Sequence, residues 1–122
     1  FEVFRNRKRH KRKQEILQKL DYDQAWAAIL DHKVISGKAI AGAFVDWDNT
    51  PRKSNGIVYV GATPEKFGFY FSKLLQKVNV EYDSSYIFVN AWNEWGEGAY
   101  LEPDANNGYG YLEAIQNALD HF

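Results

Sequence analysis

The chain has 122 residues, of which 45% are hydrophobic and 16% aromatic, and its 15 basic and 16 acidic residues give a net charge of −1. This composition is typical of one soluble globular unit and excludes a disordered or fibrous chain. Because the sequence contains no cysteine, disulfide bonds, thiolate catalysis and cysteine-ligated zinc are excluded. We also expect no cofactor.

The charges are distributed unevenly. The run Arg5 to Lys13 contains seven of the fifteen basic residues, whereas the chain from Gln14 onward has eight basic and fifteen acidic residues. The basic run lacks aromatic residues, so we predict a solvated arm and no nucleic-acid partner, with binding to nucleic acid or an anionic membrane as the alternative. No stretch is apolar enough for a transmembrane segment and no secretory signal is recognisable, which predicts a cytoplasmic location.

The first elements in chain order are predicted to be helical. Residues 1 to 20 are expected to form a basic helical arm, and helical spacing of apolar residues continues to about Lys33 after a break near Asp21. The small and β-branched residues of Ala39 to Trp47 then predict a buried strand. A loop follows, with a short extended piece at Ile57 to Val60.

A second series of helix, strand and helix completes the chain. Thr63 as N-cap and Pro64 as first helical residue predict a helix that continues to about Val78. Ser85 to Trp92 is predicted to be a second buried strand, and a long loop separates it from a terminal amphipathic helix. Strands that are apolar on both faces and alternate with helices predict parallel βα units.

The predicted strands determine the fold class. Both end in segments rich in carboxylates, and the C-terminal ends of parallel strands converge on one rim in (β/α)₈ barrels. Because a complete barrel needs about 250 residues, we predict an α/β fold in which residues 21 to 122 form consecutive βα units of a partial (β/α)₈ TIM barrel. The resemblance described below implies that these units are its C-terminal portion. Residues 1 to 122 are expected to be a single unit. Unpaired strand edges lead us to expect that this fragment alone self-associates or is inactive.

The densest cluster of acidic and aromatic residues follows the second strand, in NAWNEWGEGAYLEPD. Aromatic faces stack on pyranose rings, and carboxyl groups bind hydroxyls or transfer protons. Gly96 and Gly98 favour a turn that directs Glu94 and Glu97 toward one point, as an acid/base pair for glycosidic chemistry requires. We therefore predict Glu94 and Glu97 as catalytic residues. The predicted substrate-binding residues of this segment are Trp92, Asn93, Trp95, Tyr100 and Glu102.

A second cluster follows the first strand. Asp46, Trp47, Asp48 and Arg52 are predicted to shape the neighbouring rim of the substrate site. In the alternative interpretation Asp48 is a turn former and Arg52 a surface charge. The first three residues spell the D-x-D pattern of many nucleotide-sugar transferases, but without a nearby histidine or recognised ligand spacing we predict no metal site.

Three segments carry a resemblance to a known family. GAFVDWDNTPR (42 to 52), FVNAWNEWGEGAYLEPD (88 to 104) and YGYLEAI (109 to 115) resemble the C-terminal half of WbsX-like glycosyltransferases of bacterial polysaccharide gene clusters. That family resembles family 99 glycoside hydrolases, which are (β/α)₈ endo-α-mannosidases with the segment NEWHEG. The resemblance implies that Glu94 assists the substrate 2-hydroxyl as a base and that Glu97 is the general acid. Gly96 replaces the histidine of the hydrolases.

The residues and the resemblance together lead to one functional hypothesis. We expect a carbohydrate-active enzyme of bacterial surface polysaccharide biosynthesis, of lipopolysaccharide O-antigen or capsule, that acts on a glycan substrate. Glycosyl transfer and glycosidic bond cleavage both pass through oxocarbenium-like transition states, so the sequence does not distinguish them. A non-catalytic carbohydrate-binding module is the alternative.

Overall fold

The computed structural model describes residues 17 to 122, so the basic run Arg5 to Lys13 lies outside the described residues. The described part has a mixed α/β architecture. In chain order its elements are β1 (Gln18–Asp21), α1 (Tyr22–Asp31), β2 (Ala41–Phe44), β3 (Ile57–Val60), α2 (Pro64–Glu81), β4 (Ile87–Asn90), β5 (Asn93–Glu94), a 3₁₀ turn (Trp95–Glu97), β6 (Ala99–Tyr100) and α3 (Gly110–Asp120).

The helix predicted up to residue 20 is wrong where the structure describes it, because Gln18–Asp21 is a strand. This strand, β1, pairs in parallel with β3, with Gln18 opposite Ile57. The Asp21 side chain accepts a hydrogen bond from the Gln24 N–H at 2.8 Å, so Asp21 is the N-cap of α1. The apparent break in the helical pattern is thus the start of the helix, and the residues before it take their conformation from a distant strand.

Parallel pairing of β2 with β4 confirms the prediction of parallel strands alternating with helices. Ala41 lies opposite Ile87 and Phe44 opposite Asn90, with α2 connecting β3 to β4. The extended piece predicted at Ile57–Val60 is also confirmed as β3. Between residues 17 and 122 the strands form three two-stranded sheets and no closed barrel, so the TIM barrel stays a prediction.

Helix α2 begins as its sequence predicts. The Thr63 hydroxyl oxygen accepts a hydrogen bond from the Lys66 N–H at 3.2 Å, and Pro64 occupies the first turn, where no N–H is needed. One face of the helix is buried through Phe67, Phe71, Leu74, Leu75 and Val78. This face holds α2 against β2 and against α3.

An aromatic cluster forms the centre of the core. Trp26 is completely buried and stacks on Phe44 and on Tyr70, each with a ring-centroid distance of 5.6 Å. Phe67 meets the same indole edge-on at 6.1 Å. These contacts join α1, β2 and α2, so the core fixes the positions of the strand ends from which the site loops depart.

The two faces of the β2–β4 pair differ. Ala41 and Ala43 are buried on the side of the helices. On the other face Gly42 lies opposite Phe88, which is 67% exposed, and Asn90 is exposed as well. Phe44, which lies on this same face at the end of β2, packs on Trp26, but around Gly42 and Phe88 the face has no cover within residues 17 to 122. None of the helices in that range is both long and apolar enough to cross a bilayer.

Candidate functional site

The site begins where β2 and β4 end. Because these strands are parallel neighbours, their C-terminal ends lie at the same edge, and the Val45 N–H continues the pairing by donating to the Asn90 carbonyl at 3.1 Å. The loops that carry the two predicted clusters therefore start side by side. A second link joins them further out, where the Asp48 N–H donates to the Glu97 carbonyl at 2.7 Å.

The second loop folds into a small hairpin. Strands β5 and β6 pair antiparallel, with Glu94 opposite Ala99, and the 3₁₀ turn Trp95–Glu97 connects them. Glu94 directly precedes this turn as its N-cap and Glu97 is its last residue, so the two glutamates stand at its two ends. Gly98 ends the turn with a left-handed φ of 63°, a conformation that favours glycine.

Arg52 connects the two glutamates. Its Nη2 lies 3.2 Å from Oε1 of Glu94, and its Nη1 lies 3.3 Å from Oε1 of Glu97. The side chain of Glu97 is 23% exposed and that of Glu94 43% exposed, so water still screens both ion pairs. We therefore assign to these pairs a geometric role and little stabilisation: one cation holds both carboxylates at a common point.

Gly96 has a steric role and not the backbone role that its sequence suggested. It does not have a left-handed φ, whereas Gly98 does. A Cβ atom at residue 96 would lie 2.9 Å from both Cζ and Nε of Arg52, which is too close. The absence of a side chain at this position thus makes room for the guanidinium between the two carboxylates.

We expect Gly96→Ala to displace the Arg52 guanidinium and to lower turnover of the full-length protein by about tenfold to a hundredfold, the usual cost of a misplaced catalytic group. Stability should change by less than about 1 kcal/mol because the ion pairs are exposed. The measurement is a double-mutant cycle with Arg52→Ala. Additive losses of turnover in the Gly96→Ala/Arg52→Ala double variant would contradict an effect that acts through Arg52.

The first loop is shaped by its own polar side chains. Asp48 Oδ1 accepts the Thr50 N–H at 2.9 Å, and the side-chain oxygen of the buried Asn49 accepts the Ile57 N–H at 2.7 Å. The Arg52 N–H donates to the Asn49 carbonyl at 3.0 Å. Asp48 is therefore a turn former, as one interpretation of the sequence held, while Arg52 is more than a surface charge.

Two aromatic residues of the second loop stack on each other. The rings of Trp95 and Tyr100 are 3.7 Å apart between centroids and 12° from parallel. The indole Nε1–H of Trp95 donates to Glu102 Oε2 at 2.6 Å, and the Tyr100 hydroxyl donates to Asp104 Oδ2 at 2.9 Å. Burial and the Asp104 carboxylate raise the pKa of Tyr100 to about 12, so its hydroxyl stays protonated as a donor.

Asp104 is a structural residue that the sequence predictions did not assign. Its Oδ1 accepts backbone N–H groups of Asn106 and Asn107 at 2.8 and 2.5 Å. The N–H of Asn107 is the main reason that the pKa of Asp104 lies below its ordinary value. The signal was present in the sequence as Asp-Ala-Asn-Asn-Gly at residues 104 to 108, the composition of an Asx turn.

The remaining predicted site residues are more scattered. Trp92 and Asn93 are exposed, and their backbone groups hold the base of the hairpin. Trp47 lines a concavity of about 520 Å³ whose walls include Phe44 and Tyr59 but neither glutamate. Within the described residues no group of three potential metal ligands comes together.

Asp46 lies half-buried at the end of β2, where its Oδ1 accepts the Trp47 N–H at 2.7 Å. Burial, and secondarily the charge of Asp48, raise its pKa above the ordinary 3.8. Because burial disfavours the charged carboxylate, ionisation of Asp46 lowers the free energy of unfolding at pH values above 3.8. We expect Asp46→Asn, which keeps the acceptor, to raise the free energy of unfolding at pH 7.

This gain from Asp46→Asn should shrink as the pH falls from the raised pKa of folded Asp46 toward 3.8, and should be lost below 3.8, where Asp46 is protonated in both the folded and the unfolded state. Urea unfolding of the full-length protein between pH 3 and 7 measures it. The comparison is Asp48→Asn, which keeps the acceptor for Thr50 and should give a smaller gain than Asp46→Asn, because burial and not the charge of Asp48 is the main cause of the raised pKa of Asp46. Equal stability of Asp46→Asn and wild type at pH 7 would contradict the prediction.

A comparison with known proteins can now be set beside this geometry. The family model described as Glycosyltransferase WbsX matches residues 2–115, which include every residue of the site. The chain belongs to this family. No solved structure matches it.

Two curated relatives are similar to part of this WbsX-family chain. Both are Uncharacterized protein WxcX, from Xanthomonas campestris pv. campestris strains B100 and ATCC 33913, and each is 43% identical over 76 residues. The match covers 60% of this chain and 11% of each relative. The chain thus spans a small part of the relatives' length.

Proposed function

We propose that this chain contributes the acid/base pair of a carbohydrate-active enzyme in bacterial surface polysaccharide biosynthesis. The observation that carries the proposal is the convergence of Glu94 and Glu97 on Arg52, at the C-terminal ends of two neighbouring parallel strands. Membership of a family described as glycosyltransferases supports chemistry on a sugar. Lipopolysaccharide O-antigen and capsule are the proposed products, and the cytoplasm is the proposed location.

The fold that best accommodates this site is the C-terminal portion of a (β/α)₈ barrel. Strand residues of such a barrel alternate between the interior and the surrounding helices. Ala41 and Ala43 are buried in the core, while Gly42 and Phe88 on the opposite face are exposed and occupy the position proposed for the barrel interior. Self-association or inactivity of the isolated fragment remains a prediction that follows from this exposed face.

In the proposed mechanism Glu94 acts as the base toward the substrate 2-hydroxyl, and Glu97 is the general acid. Glu97 gives its proton to the oxygen of the bond that breaks. The hydroxyl oxygen of water or of a sugar then bonds to the anomeric carbon and its proton returns to Glu97, while the 2-hydroxyl recovers its proton from Glu94. Of the two carboxylates, that of Glu97 is the less exposed. Arg52 has to shift from Glu97 when that proton is present.

A product assay distinguishes transfer from hydrolysis. The full-length protein is incubated with ¹³C-labelled glycan precursors from the producing bacterium in H₂¹⁸O, with and without an added sugar acceptor. Transfer predicts labelled acceptor and no ¹⁸O in the sugar product. Release of ¹⁸O-labelled reducing sugar alone would exclude transfer, and the absence of any product would count against both reactions.

A non-catalytic carbohydrate-binding module is the second candidate function. The observation that favours it is the aromatic pair of the second loop, in which Trp95 stacks on Tyr100 and remains 49% exposed. It predicts that Trp95→Ala abolishes glycan binding while Glu94→Gln changes no activity. The same product assay on these two variants decides between the candidates.

A further inference from the structure

We propose that the outer face of the Trp95 indole is a binding platform for a neutral pyranose, and that Tyr100 and Glu102 position this platform without being its main sugar contacts. The inference deepens the proposed function, on which it rests for the assumption that a glycan is bound. It differs from the sequence-based prediction, in which Trp95, Tyr100 and Glu102 all contact substrate.

The stacking geometry supports this division of roles. Tyr100 lies parallel to Trp95 at a centroid distance of 3.7 Å, so each ring covers one face of the other. Trp95 is nevertheless 49% exposed, and Tyr100, which lies against its other face, is half-buried and so is the less exposed of the two. Because Tyr100 covers one face of Trp95, we infer that the exposed area of the ring includes the face that points away from Tyr100, and an open aromatic face is the surface on which a pyranose stacks.

Hydrogen bonds fix the platform before any ligand arrives. Glu102 holds the indole N–H, and Asp104 holds the Tyr100 hydroxyl. The pairing of β5 with β6 fixes the backbone on both sides of the turn. A ring immobilised in this way loses little conformational entropy on binding, which favours affinity for a weakly interacting sugar.

The charge of the surroundings selects the class of sugar. Residues 46 to 53 and 91 to 104, which form the two loops, contain six acidic residues against two basic ones, Arg52 and Lys53. Arg52 is already paired with Glu94 and Glu97. A phosphate or uronate would meet a surplus of negative charge, whereas carboxylates accept hydrogen bonds from the hydroxyls of a neutral sugar.

The test is titration of the full-length protein, labelled with 5-fluorotryptophan, with the methyl glycosides of glucose, galactose and mannose up to 100 mM. We expect at least one of them to shift the Trp95 ¹⁹F signal, which is assigned by its loss in Trp95→Phe. Affinities of variants are then measured by saturation-transfer NMR on the ligand. Trp95→Ala should weaken binding at least tenfold, and Tyr100→Ala about threefold to tenfold.

Three comparisons make the result specific. Tyr86→Ala, which removes a ring that is 73% exposed outside the site, should leave affinity unchanged. Methyl glucuronide should bind more weakly than methyl glucoside, and equal or tighter binding would overturn the neutral class. No response to any of the three glycosides at 100 mM, or equal affinity in Trp95→Ala, would overturn the platform.

Failure of this inference is distinguishable from failure of the proposed function. Glu94→Gln and Glu97→Gln should keep glycoside affinity within about threefold while they lose turnover. Loss of turnover without any glycoside binding would overturn the platform alone. Retained binding with full turnover in both glutamate variants would support the platform and refute the proposed catalytic pair.

Discussion

Glu94→Gln and Glu97→Gln, each introduced into the full-length protein, should lower turnover by about two to four orders of magnitude, the scale on which a general acid or base acts. Glutamine keeps the size and an acceptor oxygen but cannot transfer the proton. Since the ion pairs with Arg52 are exposed, each substitution should cost less than about 1 kcal/mol of stability. Turnover in the labelled-glycan assay and thermal melts measure the two effects separately.

Glu102→Gln is the matched control for this prediction. The same substitution there should cost far less activity, because a glutamine oxygen can still accept the hydrogen bond from the Trp95 indole. Comparable losses in all three variants would indicate a general disturbance of the loop instead of two specific catalytic groups. Wild-type activity of a folded Glu97→Gln protein would end the assignment.

Trp26→Ala should destabilise the protein by about 3 to 5 kcal/mol, the usual cost of removing a buried tryptophan. Trp26 is completely buried and stacks on both Phe44 and Tyr70, so its loss opens a cavity that three elements line. Its indole nitrogen has no hydrogen-bond partner among the residues from 17 to 122. Trp26→Phe removes that unpaired N–H and should therefore cost clearly less than Trp26→Ala.

Trp92→Ala is the control for the core prediction, since it makes the same change at a residue that is 54% exposed. It should alter the free energy of unfolding by no more than about 0.5 kcal/mol. Guanidinium unfolding of the three variants provides the comparison. Similar losses for Trp26→Ala and Trp92→Ala would show that the core is organised differently from this description.

Local sequence signals predicted those elements that begin with recognisable capping residues. Thr63 and Pro64 predict the start of α2, because the Thr63 hydroxyl can cap the helix and the first turn does not need the N–H that proline lacks. Asp21 carries a similar signal and was misinterpreted as a break, since the strand before it depends on β3. Short-range spacing contains no information about such a pairing partner.

The candidate site, too, could be predicted from the sequence only where local residues determine it. The residue types of the two clusters, and the turn at Gly98, follow from the sequence. The bridge from Arg52 to Glu94 and Glu97 does not, because it joins residues more than forty positions apart through the packing of β2 beside β4. The proximity of Gly96 to Arg52 arises from that packing as well. Gly96 was predicted to favour a turn, but in the structure its missing side chain leaves room for the guanidinium of Arg52.

The hydrogen bond from the Asp48 N–H to the Glu97 carbonyl has a consequence for protein engineering. Because it ties the two loops together through their backbones, a chimaera that imports either loop alone keeps both groups but places them on loops that do not share this spacing. Grafting the segments 46 to 58 and 91 to 104 as one cassette preserves the bond and its Arg52 bridge. Homologous exchange of specificity between members of the family should therefore succeed for paired loops and fail for single ones.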